Sequence, residues 1–484
     1  MIHKIIEIQN CGRFVDYKPS EKEYGWNGIF SKLNTIYAEN GSGKTTFTQI
    51  LKSLSGRNCE LVEKRKTLQS NNPIKISILN DHKKRLSYNS DNNWNGVIPN
   101  VEVYDSYYSE SNVYIVSLGN DENPSGFYDI VPDGMKMMNE IKQLTRRRKS
   151  VTANMRGTKH DIKMCENPIE RKRLEGVYAN QTIKKTKLVN SIIELKSKLE
   201  LKLEDAGKKY VEKTNLYLSK FNPNLEIIKA NKKGNQLVYH ININGIEVRS
   251  DSTNISLKHT LSEGDKSSLS LSFFLARLEM LPNIESRIIV FDDPISSFDT
   301  RRRKMTISIL SRIANRAAQF FLLSHDINFV KDFCDRNSDC TNLKIVWKDG
   351  SSVFVNHDIQ LETMTGISKD MYTLRTYLSK GALTDLERRE VIRCIRPVIE
   401  GIFRLKYFNI FTDKEWLGDF LGHIRNSDKA SPLYRLNDYY DELSDINDYC
   451  KQYHHANPNY MEEPIFDEEL RQFVQKTLDI LAYI

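Results

Sequence analysis

Eight consecutive residues, Ala38 to Thr45, have the types and spacing of a phosphate-binding loop. They read Ala-Glu-Asn-Gly-Ser-Gly-Lys-Thr and fit G-x-x-x-x-G-K-[ST], except that alanine holds the first glycine position. Glycine lets successive backbone N–H groups converge on phosphate oxygens, and the helix that follows offers its positive N-terminus. Lys44 is expected to reach the β- and γ-phosphates. The residues expected to bind the nucleotide here are Asn40, Gly41, Ser42, Gly43, Lys44, Thr45 and Thr46.

A second candidate is the run from Arg287 to Asp293, an apolar segment that ends in two carboxylates. This is the form of a Walker B strand, which holds Mg²⁺ in P-loop ATPases. We expect Asp292 to hold Mg²⁺ through water, and Thr45 to contact the same ion. Asp293 is the expected catalytic carboxylate, at the place where most ABC ATPases have a glutamate that orients the attacking water. Because aspartate is one methylene shorter, either slow hydrolysis or a repositioning of this side chain is expected.

Two further segments resemble motifs of ABC ATPases. Leu261–Asp265 resembles the ABC signature and stands at the start of a helix, where Ser262 and the backbone of Gly264 can bind a γ-phosphate. This resemblance implies a homodimer that sandwiches two ATP molecules between its heads, with a higher oligomer left open. Leu323–Asp326 follows a strand and resembles the switch region, so His325 is expected to sense the γ-phosphate as a second catalytic residue.

The order of these motifs along the chain is the order that an ABC nucleotide-binding domain requires. A segment from Ser296 to Asp299 resembles the D-loop, whereas no Q-loop can be placed. Each motif alone could be a tight loop, a solvated strand end or a helix cap. Four of them in sequence favour an ATP site.

Hydrophobic periodicity divides the chain into four segments. Residues 1–134 and 221–357 alternate strands and helices, and we assign both to one ATPase head. Residues 135–220 predict two antiparallel helices that turn near Pro168, each roughly 45–55 Å long. Residues 358–484 predict a separate helical domain. The expected fold class is α/β: an ABC-type P-loop NTPase head with a short antiparallel coiled-coil arm and an α-helical C-terminal domain.

The formal net charge of +8 is concentrated in the arm. Between Lys136 and Lys220, 22 Lys and Arg residues stand against 10 Asp and Glu residues. Residues 136–220 are therefore a candidate surface for the phosphates of a nucleic acid or for a nucleoprotein partner. The same charges could equally be the solvated outside of two helices. Because aromatic residues are not interleaved with them, any nucleic-acid contact would be independent of sequence.

Composition restricts the class of protein further. With 39% hydrophobic and 28% charged residues, the chain is expected to fold rather than to be disordered. The seven cysteines are scattered without a C-x-x-C pair, which favours reduced thiols over zinc ligands or disulfides. The first residues lack the apolar core of a secretory signal, and no apolar run is long enough to cross a bilayer. A cytoplasmic location without a membrane partner is expected.

Several segments together resemble the PrrC/RloC-like group of bacterial ABC ATPases. The resemblance implies ATP and Mg²⁺ as cofactors and a role in defence against phages, in which an ATPase is coupled to RNA or DNA damage. The group includes anticodon nucleases and also PtuA subunits of Septu and retron-associated systems, which work with a separate HNH nuclease. The segments that carry the resemblance are Ile6–Phe14, Ile36–Thr46, Val290–Asp299, Leu417–Phe420 and the pair His454-His455.

In the anticodon nucleases of this group, Arg-x-x-x-Glu and a later histidine carry metal-independent RNA cleavage. Arg396 and Glu400 fit the first part, and His423 is a candidate third member, which gives a candidate RNase site. Such a trio supplies a base for the 2′-OH, an acid for the leaving oxygen and a cation for the phosphorane. Alternatively, the arginine and glutamate form an ordinary exposed helical pair, and His454 or His455 competes for the third role.

The leading hypothesis is an ATPase subunit of an antiphage module, in which ATP-driven dimerisation of the heads gates a partner nuclease. The first alternative is a self-contained tRNA anticodon nuclease that cuts with Arg396, Glu400 and His423. The second alternative is a repair or recombination ATPase, similar to SMC and RecF proteins, that binds DNA through the arm.

Overall fold

The computed structural model of the chain contains two compact units, Met1–His357 and Asp358–Ile484. The structure describes residues 1–56, 59–90, 93–112, 116–117, 127–233, 236–250, 257–295, 298–453 and 462–483.

Strands are found only in the first unit among the described residues. They are β1 (Ile2–Cys11), β2 (Phe14–Tyr17), β3 (Leu33–Tyr37), β4 (Lys75–Asn80), β5 (Arg85–Asn89), β6 (Asn93–Trp94), β7 (Val101–Tyr104), β8 (Val116–Ser117), β9 (Leu225–Lys233), β10 (Gln236–Ile243), β11 (Ile246–Arg249), β12 (Ile288–Asp292), β13 (Gln319–Ser324), β14 (Cys340–Lys348) and β15 (Ser351–Asn356).

Helices occur in both units. Those of the first unit are α1 (Glu21–Tyr24), α2 (Lys44–Leu54), α3 (Glu60–Glu63), α4 (Ser106–Asn112), α5 (Gly134–Met164), α6 (Pro168–Phe221), α7 (Leu257–Thr260), α8 (Glu263–Met280), α9 (Thr300–Arg316) and α10 (Ile327–Arg336). Those of the second unit are α11 (Ile359–Thr363), α12 (Gly366–Lys380), α13 (Asp385–Lys406), α14 (Leu417–Arg425), α15 (Tyr440–Gln452) and α16 (Asp467–Tyr483). Short 3-10 helices span Phe127–Ile130, Ile284–Ser286 and Tyr434–Tyr439.

The central sheet of the first unit has the strand order β15-β14-β3-β13-β12-β7. The five strands from β14 to β7 are parallel, and β15 returns antiparallel to β14 as a hairpin. Strands in a sheet covered on both faces are apolar throughout, which explains the uninterrupted hydrophobic runs of β12 and β13. Alternate residues of β13 enter different cores: Phe320 lies in one, and Phe321 lies in the other.

Two antiparallel sheets accompany the central one. The first has the order β2-β1-β4-β5-β6 and shares a hydrophobic core with α2 on one face of the central sheet. The second comprises β9, β10, β11 and β8, and its core is continuous with that of α6 and α8. The expected fold class is therefore confirmed: strands and helices alternate around a parallel sheet, with a helical arm and a helical C-terminal unit.

The arm consists of α5 and α6, which pack against each other as an antiparallel pair. Asn167 caps α6 through its side chain, and Pro168 occupies the first turn, where proline is tolerated because that N–H has no helical partner. The predicted length is right for α5, whose 31 residues span roughly 46 Å. It is wrong for α6, whose 54 residues span roughly 81 Å. The extra turns are packed into the head, where the Tyr210 hydroxyl donates to the carbonyl of Phe273 on α8.

The second unit is built from helices around one core of its own. Phe403, Phe411 and Phe420 stack at the centre of this core, and the centroids of the last two rings are 4.0 Å apart. The helix α13 begins with a complete capping box, in which Thr384 and Glu387 satisfy each other's backbone N–H groups. Within the described part of the chain, no helix is both long and apolar enough to cross a membrane.

Candidate nucleotide-binding site

The parallel strands of the central sheet bring the sequence motifs to one edge. The phosphate-binding loop follows β3, the two carboxylates end β12, and the switch histidine follows β13. Since β13 lies between β3 and β12, all three strand ends are neighbours. In open parallel sheets, ligands bind outside the carboxyl ends of the strands, so this edge is the expected place for a nucleotide.

The loop between β3 and α2 has the backbone that phosphate binding requires. Gly41 and Gly43 both have positive φ angles, +79° and +115°, which side-chain-bearing residues rarely adopt. Ala38, at the usual first glycine position, keeps a negative φ, so alanine causes no backbone strain there. The Lys44 ammonium donates to the Ala38 carbonyl at 2.7 Å and is buried. The lysine is thus held over its own loop.

Asp293 connects the loop to the switch region. Its Oδ2 lies 3.5 Å from Lys44 Nζ, and its Oδ1 lies 2.8 Å from both the backbone N and Nδ1 of His325. The residue has a φ of +48°, an uncommon conformation that Asp tolerates better than most residues. One carboxylate therefore bridges the two side chains expected to contact a γ-phosphate.

Asp292 has the environment expected of a residue that holds a cation. It is buried, and its Oδ1 has no hydrogen-bond partner among the described residues. Burial, and then the neighbouring Asp293 carboxylate, raise the pKa of Asp292 to about 7. A divalent cation would compensate this buried negative charge, and oxygen ligands are those that Mg²⁺ prefers. Asp292 together with Thr45 therefore fits Mg²⁺ chemistry.

A cavity of about 510 Å³ opens in front of the loop. At one side the guanidinium of Arg13 lies 5.3 Å from the ring centroid of Trp347, whose side chain is half exposed. The position of these two residues could not be predicted from local sequence, because Arg13 follows β1 and Trp347 comes from the β14–β15 hairpin. The lining comprises Gly12, Arg13, Val15, Asn40, Gly41, Gly43, Lys44, Thr45, Thr46, Arg65, Lys66, Thr67, Leu68, Asp293 and Trp347.

Ser42, Asp292 and Asp293 differ in where they lie relative to this cavity. Ser42 does not line the cavity, and its carbonyl accepts from the Ser352 hydroxyl at 2.7 Å. This hydrogen bond ties the backbone of the loop to β15. Asp293 reaches the cavity, whereas Asp292 lies behind it at the end of β12.

A third carboxylate at this edge was missed by sequence reasoning. Asp105 follows β7, the strand beside β12, and is fully buried. Its Oδ2 accepts from Gln49 Nε2 at 2.8 Å and from Lys52 Nζ at 2.9 Å, both on α2. Asp105 also contributes to the raised pKa of Asp292. The only local signal was an acidic residue directly after a predicted strand.

The signature residues lie at the start of α8. Ser262 forms a capping box with Asp265, in which each side chain accepts from the other residue's backbone N–H. Neither Ser262 nor Gly264 lines the cavity in front of the loop of its own chain. The D-loop residues Ser296 and Ser297 lie outside the described residues.

The candidate RNase residues of the second unit are placed differently from a catalytic trio. Arg396 donates to Glu400 at 3.1 Å, so the helical pair does form. Glu400 is not exposed as the alternative reading expected: its side chain is 4% exposed, and the backbone N–H of Leu417 donates to it at 3.0 Å. The carboxylate therefore ties α13 to the start of α14.

His423 contacts a different carboxylate, that of Glu415, with 2.6 Å between Nε2 and Oε1. Glu415 also accepts from the backbone N–H of Thr412, and this contact together with His423 lowers the pKa of Glu415 to about 2. A cavity of about 600 Å³ beside His423 is lined by Glu415 but not by Arg396 or Glu400. The competing candidates His454 and His455 lie outside the described residues.

Comparison with known proteins gives matches to parts of the chain. A family model described as an AAA domain matches residues 139–363, a segment that contains the signature, the Walker B strand and the switch histidine. The uncharacterized chromosomal cassette SCCmec type IVc protein CR006 of Staphylococcus aureus (strain MRSA252) is 24% identical over 309 residues. This match covers 54% of the chain and 42% of that protein, so the chain spans less than half the length of its curated relative.

Among solved structures, the chain is similar to the Smc head domain of Pyrococcus furiosus with an extended coiled coil, bound to the C-terminal domain of ScpA. The TM-score is 0.48 at 12% identity, covering 74% of this chain and 97% of that one. The Smc head domain of Pyrococcus yayanosii, with a coiled coil and joint, gives a TM-score of 0.42 at 11% identity, covering 74% and 97%.

The phosphate-binding loop after β3 and the parallel order of the central sheet are those of a P-loop nucleotide-binding fold, and the AAA-domain match covers the second half of this first unit.

Proposed function

We propose that the chain is a Mg²⁺-dependent ATPase whose heads dimerise around two ATP molecules. The observation that carries this proposal is the position of the signature. Ser262 and Gly264 stand at an N-terminal helix end, which suits a phosphate, yet they do not line the cavity of their own chain. A second copy can supply them, in an arrangement with two-fold symmetry that completes both sites at once.

The contacts around Asp293 suggest how nucleotide would change the site. Lys44 now pairs with Asp293, and ATP would offer it a γ-phosphate in exchange. Asp293 would then be free to orient water, while His325 keeps its backbone N–H bond to the same carboxylate. Since the aspartate side chain is short, water must come close to β12, and slow turnover follows. Asp292 and Thr45 would hold Mg²⁺, which would neutralise negative charge on the phosphates.

Complementation between two inactive variants tests the shared site. Lys44→Ala disables the loop, and Ser262→Arg disables the signature. A mixed dimer keeps one intact site, formed by the loop of one chain and the signature of the other. An equal mixture should therefore recover about a quarter of wild-type hydrolysis, because half the dimers are mixed and each has one of two sites.

The two variants measured separately are the controls for this experiment. Each should retain a cooperative thermal unfolding transition. Each should also hydrolyse ATP at less than about one hundredth of the wild-type rate, because removal of one preorganised contact to the reacting charge costs roughly 10²–10³-fold in rate. A mixture no more active than the separate variants would eliminate the shared site. Full activity of Ser262→Arg alone would point to hydrolysis within one chain.

The finer proposal is that ATP state gates a partner nuclease in an antiphage module. Its support is that the candidate RNase residues of the second unit already have other partners. The buried Glu400 carboxylate accepts from Arg396 and from the Leu417 N–H, and His423 contacts Glu415. A base held in this way is poorly placed to take a proton from a ribose hydroxyl. Nuclease chemistry is then better assigned to another polypeptide.

Incubation of the purified chain with ATP, Mg²⁺ and total tRNA tests this assignment. We expect the tRNA to stay intact while ATP is hydrolysed. In cells, the Lys44→Ala variant should lose protection against phages. Discrete cleavage that disappears in His423→Ala would replace the proposal with a self-contained anticodon nuclease. Full protection by Lys44→Ala would remove ATP gating.

A further inference from the structure

The middle of the arm carries almost only positive charge. It comprises residues 142–160 of α5 and 178–197 of α6, which we call the cationic band. Within it, eleven Lys and Arg residues stand against one acid, Glu194. Glu194 is itself bound by Lys198, just outside the band, with 2.6 Å between Nζ and Oε1. The cations are Lys142, Arg146, Arg147, Arg148, Lys149, Arg156, Lys159, Lys184, Lys185, Lys187 and Lys196.

Ion pairs flank the band on both sides. Toward the tip Arg173 pairs with Glu170, and toward the head Lys208 pairs with Glu204. Apart from Lys142, the cations of the band have no acidic partner among the described residues. Like charges three or four residues apart destabilise a helix, so an unneutralised cluster of this size is a cost to folding. An anionic partner would remove that cost.

The register of the two helices brings their basic tracts together. The Gln181 amide donates to the Thr158 hydroxyl at 3.1 Å across the antiparallel pair. Counting from this contact, Arg146–Lys149 and Lys184–Lys187 are offset by about six residues, or roughly 9 Å along the arm. Most of these side chains are exposed, because Val151 and Met155 occupy the buried seam between the helices.

The dimensions of the band suit a nucleic-acid duplex. Its 142–160 segment is roughly 27 Å long, and a DNA duplex carries about one negative charge per 1.7 Å, or roughly sixteen over that length. Tyr178 is the only aromatic residue in the band, so it offers no platform on which unpaired bases could stack. Lysine and arginine side chains are the usual partners of backbone phosphates, and such contacts carry no sequence information.

We propose that the cationic band binds the phosphate backbone of a nucleic-acid duplex without sequence preference. This goes beyond the proposed function and does not require nucleotide at the head, since every residue that carries it belongs to α5 or α6.

The test is fluorescence anisotropy of a labelled 30-base-pair DNA duplex with the full chain, between 50 and 200 mM KCl and without nucleotide. The band variant replaces three exposed lysines, Lys149→Gln, Lys184→Gln and Lys187→Gln. The matched control replaces three exposed lysines that are already paired, Lys198→Gln, Lys208→Gln and Lys209→Gln. Both remove the same charge from the same arm.

Wild type and control should bind the duplex with similar affinity, and the band variant at least about tenfold more weakly at 100 mM KCl. The slope of log affinity against log salt should fall by about 0.9 for each lost phosphate contact. If both variants lose the same affinity for the duplex, net charge alone explains the binding and the proposal is overturned. If polyglutamate at equal charge displaces the duplex, the proposal is overturned, and the partner of the band would instead be an acidic protein.

Lys44→Ala separates this proposal from the proposed function. The variant should lose ATP hydrolysis and keep duplex binding unchanged. If the wild-type chain hydrolyses ATP but does not bind the duplex, only the proposal for the cationic band is rejected. If the two inactive variants fail to complement each other in ATP hydrolysis, only the shared ATP site is rejected.

Discussion

Oδ1 of Asp293 lies 2.8 Å from Nδ1 of His325, and this contact joins the end of β12 to the end of β13. The same carboxylate approaches Lys44 through its other oxygen. A single side chain therefore links the ends of β12 and β13 to the phosphate-binding loop. Its charge and its left-handed backbone can be tested separately.

Asp293→Asn should abolish hydrolysis without weakening ATP binding. Asparagine tolerates the left-handed conformation, so the backbone is retained while the negative charge is removed. We expect kcat to fall by about 10²–10³-fold. The dissociation constant for ATP should stay the same or decrease, because Lys44 loses its competing counterion. Phosphate release and titration with a fluorescent ATP analogue measure the two quantities.

Asp349→Asn is the control for this variant. Asp349 has a similar φ of +50°, but lies exposed in the turn between β14 and β15. It should keep wild-type kcat. A large loss in both variants would mean that the backbone, rather than the charge of Asp293, is responsible.

Trp347→Ala should raise KM for ATP and leave kcat unchanged. The indole lines the cavity on the side where Arg13 packs over it, which suits a nucleotide base. Aromatic stacking is worth about 0.5–1.5 kcal/mol, so KM should rise roughly two- to tenfold. Trp416→Ala removes a comparable exposed indole under Arg404 in the second unit. An equal rise in KM in that control would contradict a local role for Trp347.

Glu400→Ala should destabilise the second unit by about 2 kcal/mol. The change leaves the Leu417 N–H without its acceptor in a buried position and removes the partner of Arg396. Glu390→Ala on the same helix breaks an exposed pair with Arg393 and should have little effect, because exposed pairs contribute little. Chemical denaturation followed by intrinsic tryptophan fluorescence, to which Trp416 contributes from the second unit, compares the two variants with wild type. Equal midpoints for Glu400→Ala and wild type would rule out this structural role.

Acid should remove the contribution of Glu415 to stability. Hydrogen bonds from Thr412 and the contact with His423 lower the pKa of Glu415 from 4.5 to about 2 in the folded chain. Because the folded pKa is the lower one, the stabilisation is fully present above pH 4.5 and is lost as pH falls toward 2. Glu415→Gln should therefore lower the unfolding temperature at pH 7, with a difference that shrinks below pH 4.

Glu390→Gln, which alters an exposed carboxylate on α13, is the comparison for Glu415→Gln. Its unfolding temperature should follow wild type at every pH. A difference between Glu415→Gln and wild type that stays constant from pH 7 to pH 3 would show that the carboxylate acts without its charge.

The parts of the site that were predictable from sequence are those made by short continuous segments. A strand, a glycine-rich turn and a helix N-terminus follow one another at the phosphate-binding loop, so residue types alone indicate their geometry. The two carboxylates at the end of β12 were predictable for the same reason, because an uninterrupted apolar run that ends in two acids is distinctive. The switch histidine follows its strand at once.

The missed parts depend on which strands become neighbours. Asp105 reaches Asp292 only because β7 pairs with β12, more than 180 residues later in the chain. Trp347 reaches the cavity because β14 pairs with β3. Likewise the partner of His423 is an acid in the loop before its helix, and helical periodicity does not reveal it. The length of α6 was underestimated because its apolar face continues from the arm into the head.

The order of strands in the central sheet has a consequence for synthesis of the protein. β3, which leads into the phosphate-binding loop, lies between β13 and β14, and both are translated after the whole arm. A nascent chain that has emerged only as far as α6 therefore exposes the unpaired edges of β3 on the ribosome. Such edges invite aggregation, so chaperone binding to the N-terminal half is expected during translation. Products of premature termination before β13 lack the neighbours of β3 and would be degraded without ever competing for nucleotide.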